Sequence, residues 1–197
     1  MNTPLIITVG REYGSSGREI GKILSKKLNI PFYDKKKLLS IAKQTPDYEE
    51  VREFYEEKPV NSFLAAIEEN EAEKAIARKP FRRIRSLMSE EGGVLIGRCG
   101  NCIFRNYENA LTVFVHGSKK IRVQKIAQIE QISLREAKRR MEEVDEDRAV
   151  FHSNYTGETW GAADGYELCL DSGILGIEGC ADMILKYLQW KKEMPGL

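Results

Sequence analysis

The chain has few cysteines, no long apolar run and almost no charge excess, and each shortage removes a class of function. Four cysteines occur among 197 residues. Cys99 and Cys102 form one C-x-x-C pair, but Cys169 and Cys180 stand well apart downstream, so the two close pairs of a typical zinc site are missing. Cys169 alternates with Leu168 and Leu170 as a strand residue does, and packed thiols are the expected state. The most apolar stretch is far shorter than a membrane span, and Met1 to Pro4 lacks the charged and apolar blocks of a secretion signal. A soluble, cytoplasmic protein without membrane contact is expected. The formal net charge of +1 argues against a generic binder of polymeric nucleic acid. Charge is nevertheless unevenly placed: acidic residues prevail from Asp47 to Glu73, and every charge from Lys74 to Arg85 is positive.

What the chain does have is a beginning suited to phosphate. Leu5 to Val9 is a short apolar, β-branched run of the kind buried in a parallel sheet, and Arg18 to Leu28 repeats its apolar positions at helical spacing. Between them lies Tyr13-Gly14-Ser15-Ser16-Gly17. At such a turn the first amides of the helix lack carbonyl partners and sit at the positive end of its dipole, so an anion satisfies several donors at once. The loop departs from the pattern G-x-x-x-x-G-K-[ST]: aligned on Gly17, the first glycine falls on Glu12, the lysine on Arg18 and the Mg²⁺-binding hydroxyl on Glu19. Arginine still brings charge and a fork of donors, in a wider group than lysine. A glycine-rich turn with a solvated rim is the plain alternative.

With 42% hydrophobic content the chain is large enough to bury a core unaided, and one domain over residues 1–197 is expected. Further strands are read at Ile30 to Asp34, Val94 to Gly97, Leu111 to Val115 and Glu167 to Leu170. Residues 38 to 91 read as helices broken at Pro46, Pro59 and Pro80, which makes an insert over about 45–80. Ser118 caps a helix running to about Glu130, and Ser133 opens another to about Asp147, within a lid over about 118–160. The last helix runs from Ile177 to about Lys192. Five strands separated by helices call for an open parallel sheet with helices on both faces, whose ligands lie beyond the carboxyl ends of the strands.

That architecture gathers the Gly14 to Arg18 loop, Asp34, Arg98, His116 and Asp171 in one crevice. Phosphoryl transfer to an acceptor that is already anionic needs positioning and charge neutralisation more than a base. Arginines should then outnumber bases, and Arg122, Arg135, Arg139, Arg140 and Arg148 fall in the lid region. Two readings compete for these arginines, a lid over phosphates and a salt-bridged solvated helix, since Glu136 and the carboxylates from Glu142 to Asp147 lie close by. Asp34 and Asp171 are ligands or turn caps. His116 has no nucleophile beside it in sequence and reads as a turn or packing residue. Phe151, His152, Tyr155, Trp160 and Tyr166 fall in a glycine-rich stretch read as a loop, available to stack on a base or to pack.

The segments ITVGREYGSSGREIGKILSKKLNIPFYD, VLIGRCGNCIF, VFVHGSKKIRVQKI, RRMEEVDEDRAVFHSNYTGETWG and YELCLDSGILGIEG together resemble the cytidylate kinase-like family, a divergent branch of P-loop nucleoside monophosphate kinases. The resemblance implies a P-loop NTPase-like, three-layer α/β/α fold with a five-stranded parallel sheet. It also implies ATP and Mg²⁺ as cofactors and CMP or dCMP as the acceptor. Gly14, Ser15, Ser16, Gly17 and Arg18 then correspond to the triphosphate loop, with Arg18 also catalytic as the loop's own cation. Arg98 and Asp171 correspond to acceptor-side residues, joined by Asp34 from its strand end, and Arg139, Arg140 and Arg148 to lid arginines, with Arg122 beside them. Cys99 stands where an aspartate is expected, Glu19 where the metal-binding hydroxyl is, and His116 where an aspartate often follows the fourth strand. Ser16 or Glu19 is then the expected Mg²⁺ ligand, directly or through water. The segment from Asp47 to Ala77 departs from the family's acceptor insert. The alternatives are a kinase of another small metabolite, or a nucleotide-binding sensor without turnover. Phe54, Phe63, Leu64 and Ile67 also suggest a homodimer face within residues 47–77.

Overall fold

The computed structural model describes residues 4–58 and 71–193. Strand β1 (Ile6–Arg11) leads through a tight loop into α1 (Gly17–Leu28), then β2 (Phe32–Tyr33), α2 (Lys35–Ala42), α3 (Tyr48–Glu56) and α4 (Glu71–Glu91). There follow β3 (Gly93–Ile96), α5 (Gly100–Ile103), β4 (Ala110–His116), α6 (Lys119–Glu130), α7 (Leu134–Thr156), β5 (Leu168–Asp171) and α8 (Ser172–Glu193). All pairings are parallel, in the order β2-β3-β1-β4-β5. The two ends of the sheet therefore grow away from β1, and a crevice opens where the crossovers diverge, at the carboxyl end of that strand.

Strand alternation divides the core into two layers. Ile6, Leu95 and Ala110 face a cluster with Leu38, Phe54, Ile84, Met88 and Phe104 from the helices on their side. Ile7, Val9, Val94, Ile96, Leu111 and Val113 face Ile20 and Leu24 of α1 and Ala181, Ile184 and Leu188 of α8. Burying such a side chain fully contributes about 1.5–3 kcal/mol, so the apolar runs read in the sequence become the sheet's interior. Gly21 lets α1 lie flat on the sheet: a Cβ there would come within 2.5 Å of the Ile96 side chain.

Several sequence boundaries shift. The strand expected from Ile30 to Asp34 keeps only Phe32 and Tyr33, because the Asp34 side chain accepts from the Lys37 amide at 3.0 Å and caps α2. Helix α4 continues through Pro80 instead of breaking there. The helix expected to stop near Asp147 extends to Thr156, so Phe151, His152 and Tyr155 are helical and not part of a loop. No glycine or proline interrupts that span until Gly157, whose backbone takes the left-handed conformation that ends the helix. Phe151 and Tyr155, one turn apart, pack on Phe54 with ring centroids 5.5 and 5.0 Å away. Phe54 is thus covered within the chain, whereas Pro59, Phe63, Leu64 and Ile67 lie outside the described residues. The serine caps are as expected: Ser118 accepts from the Ile121 amide and Ser133 from the Glu136 amide. No helix among the described residues is long and apolar enough to cross a membrane.

Candidate active site

The loop after β1 is held open from outside. Ser15 turns inward, its single hydroxyl proton shared between the carbonyls of Glu12 at 2.8 Å and Val115 at 2.9 Å. Gly14 has φ +81°, and Ser16 also adopts the left-handed conformation just before α1. The Ser15 amide bonds back to the Glu12 carbonyl, and the Tyr13 amide donates to Asp145 of α7 at 2.7 Å. The amides of Gly14, Ser16, Gly17 and Arg18 make no hydrogen bond among the described residues. They form the set of unsatisfied donors at a helix start that an anion fits.

Arg18 does not lie over this loop. Its guanidinium holds Asp34 at 2.5 Å and rests against the Phe32 ring. Burial alone would raise the Asp34 carboxyl; the Lys37 amide and Arg18 outweigh it and lower its pKa. Lys125 reaches the loop at Ser16, its ammonium donating to that hydroxyl from α6, and Arg122 reaches the Tyr13 carbonyl at 3.1 Å. Arg122, one turn earlier, is buried and bound to structural partners: Asp145 at 2.5 Å, Glu12 at 3.2 Å and the Gly117 carbonyl at 3.0 Å.

Beside the loop, two arginines converge on one carboxylate and a third lines the same pocket. Glu57, at the end of α3, takes both terminal nitrogens of Arg11 at 2.9 and 3.1 Å and lies 2.6 Å from Arg98 Nη1. Arg148 of α7 donates to the Arg11 carbonyl at 3.2 Å and lines the same pocket, as do Trp160 and Tyr166. Arg98 is only 1% exposed; its Nη2 donates to the Tyr55 carbonyl at 2.7 Å, and its Nε has no hydrogen-bond partner among the described residues. Burial would raise the Glu57 carboxyl, but the charges of Arg11 and Arg98 hold it well below the usual carboxylate range. Burial, with the neighbouring Arg11 charge, brings Arg148 down to about 10. The pocket is a cationic hollow with one internal anion and an orphaned buried donor, and it suits a multivalent anion better than a neutral guest.

The sequence pattern of the cytidylate kinase-like family matches residues 6–174. The chain belongs to that family. An uncharacterized protein from Eubacterium ventriosum ATCC 27560 is 32% identical, with a TM-score of 0.75 over 94% of this chain and 98% of that one. Shikimate kinase from Bacteroides thetaiotaomicron matches at 16% identity and a TM-score of 0.50, over 94% of this chain and 98% of that one. A gluconokinase from Sinorhizobium meliloti 1021 matches at 15% identity and 0.50, over 98% and 100%. No curated protein matches. The family and the P-loop kinase fold support a phosphotransferase acting on small molecules.

In this cytidylate kinase-like chain the expected site residues separate into two groups. Arg98 and Arg148 line one pocket at the carboxyl ends of β1 and β3, together with Arg11 and Glu57, while Gly14 to Gly17 follow β1 outside that lining. Arg139 and Arg140 sit earlier on α7 as exposed residues, the first paired with Glu143 at 2.6 Å and the second with Glu130 at 2.9 Å. Asp171 ends β5, where its Oδ1 accepts from the Gly173 amide at 2.7 Å. Glu19 is exposed on the first turn of α1. Cys99 is packed and buried, and burial pushes its thiol well up. Sequence reasoning missed Arg11, Glu57 and Lys125. Arg11 directly precedes the loop and Lys125 lies three residues beyond Arg122 on the same helical face, so both left a signal in spacing. Glu57 left none, standing among many acidic residues.

Proposed function

We propose that this chain transfers the γ-phosphoryl group of ATP to a small anionic acceptor, with CMP or dCMP as the first candidates. The observation that carries this reading is the pairing of Arg11 and Arg98 with Glu57 in a pocket that Arg148 also lines, together with four unpaired amides in the loop that follows Arg11. The loop amides bind the polyphosphate, and Lys125 neutralises it where the sequence pattern lacks its lysine. Arg98 and Arg11 exchange Glu57 for the acceptor's phosphate, which also fills the vacant Arg98 Nε. Arg148 bridges the two sides, and α7 excludes water from the transfer. Arg18, released from Asp34, adds charge at the transferring group, while Asp34 and Asp171 turn to the acceptor and Arg139 and Arg140 close the lid. Mg²⁺, when bound, would neutralise charge on the phosphate oxygens; Ser16, once its hydroxyl leaves the Lys125 ammonium, and Glu19 would hold it or its waters. Reaction occurs in the cytoplasm.

A single-turnover assay with labelled ATP and a panel of nucleoside monophosphates and sugar acids tests the reading. Label appearing on CMP or dCMP supports it. Label appearing only on a sugar acid keeps the kinase and replaces the acceptor. The second reading, a nucleotide sensor without turnover, draws on Arg18 being committed to Asp34. ATP binding with no label transferred to any acceptor selects it.

A further inference from the structure

A thiol, an imidazole and a carboxylate that phosphoryl transfer does not use meet at the carboxyl end of α7. One ligand atom each from Cys102 of α5, His152 of α7 and Glu158 just beyond that helix lie within 4.8 Å of one another. His152 is 3% exposed, and its Nε2 is buried without a hydrogen-bond partner. Cys102 donates its thiol proton to Glu158 Oε2 at 3.3 Å, and Arg105 holds that same oxygen at 2.5 Å. Oε1 of Glu158 has no such bond among the described residues.

We propose that Cys102, His152 and Glu158 form a binding site for a borderline-soft divalent cation of the zinc type. The donor set of one sulfur, one nitrogen and one oxygen suits zinc, whose three-ligand sites leave a fourth position for water. Thiolate and imidazole are poor partners for Mg²⁺, so this site is separate from any metal on the phosphates. On binding, the Cys102 S–H bond is replaced by a metal–sulfur bond and the proton leaves to solvent, with no change of oxidation state. His152 enters as the neutral imidazole, and its buried Nε2 has no other partner among the described residues. Thiolate and carboxylate together balance the cation, and Arg105 keeps its hold on the second carboxylate oxygen. The site fastens α5, which follows the Arg98 turn, to the end of the helix that carries Arg148. The C-x-x-C spelling thus contributes one ligand, Cys102, while Cys99 stays in the core.

The test is titration of the full, reduced, metal-stripped chain with Co²⁺. The expected result is one bound Co²⁺ per chain with a near-ultraviolet thiolate-to-cobalt charge-transfer band that Zn²⁺ displaces. Cys102→Ser should abolish the band. His152→Gln and Glu158→Gln should each weaken binding by about tenfold or more, and Cys169→Ser, an exposed cysteine elsewhere, should leave it intact. Circular dichroism verifies folding; should His152→Gln unfold, the partly exposed Cys102 and Glu158 variants decide the matter. A folded wild-type chain without the band, a band surviving Cys102→Ser, or unchanged affinity in Glu158→Gln overturns the proposal.

Discussion

Glu57 and Arg98 face each other at 2.6 Å, with the guanidinium shut off from solvent and shared with no second carboxylate among the described residues. Arg11 leans on the same carboxylate. A buried charge that loses its partner typically costs about 3–5 kcal/mol, so Glu57→Gln should lower the melting temperature markedly. If the pocket is built for phosphate, added phosphate or sulfate should restore more stability to the variant than to the wild type. Equal stabilisation of both proteins by the anion, measured by thermal denaturation across an anion series, contradicts a phosphate role for these arginines.

The same carboxyl gives the protein an acid sensitivity of definite sign. Its pKa in the folded chain lies well below the ordinary 4.5 because Arg11 and Arg98 outweigh burial. As pH falls below that ordinary value the unfolded chain takes up the proton first, so the ion cluster's stabilisation is whole above it and fades toward the folded value. Asp34, lowered from 3.8, acts in the same direction. Denaturant unfolding from about pH 7 to pH 3 should show stability falling steeply in the acid limb, and a shallower fall in Glu57→Gln. Parallel acid limbs would remove Glu57 from the account.

Arg98→Ala separates the two halves of the crevice. Its guanidinium lies on the β3 side, against Glu57 and the Tyr55 carbonyl, and makes no contact with the Gly14 to Gly17 loop. The variant should raise KM for the acceptor by about tenfold or more, the scale of one lost charge-assisted hydrogen bond, with ATP affinity little changed. A selective loss of ATP affinity, read by calorimetry, would place Arg98 on the wrong side.

How much of this was legible beforehand depended on the range of the interaction. The β1 run, the glycine loop, and the serine caps at Ser118 and Ser133 are local signals, and the structure reproduces them. The helix outruns its expected end near Asp147 because nothing before Gly157 breaks it, so only Trp160 and Tyr166 of the aromatic cluster lie in the glycine-rich loop. Arg11 and Glu57 are 46 residues apart, and Lys125 is 109 from Ser16. No periodicity relates such pairs; only the sheet order, which sets β1 between β3 and β4, brings them together.

Lys125 and Arg18 offer the sharpest remaining comparison, because the loop pattern assigns its cation to Arg18 while the structure delivers an ammonium from α6. Lys125 reaches the Ser16 hydroxyl, at the mouth of the unpaired amides, whereas the half-exposed Arg18 side chain is engaged by Asp34. Charge near those amides matters most for binding, so Lys125→Ala should weaken ATP by about tenfold or more, in line with the ~1.5–3 kcal/mol of a hydrogen bond to a charged group. Arg18→Ala should loosen ATP less yet remove transfer, if Arg18 leaves Asp34 for the transferring phosphoryl group. Asp34→Asn then supplies the control: it should raise KM for the acceptor, yet by weakening the hold on Arg18 it should preserve or raise the single-turnover rate at saturating acceptor in a chain that remains folded. Should Arg18→Ala turn over normally while Lys125→Ala does not, the loop's cation is the helix lysine alone, and the arginine is a strut between α1 and the start of α2.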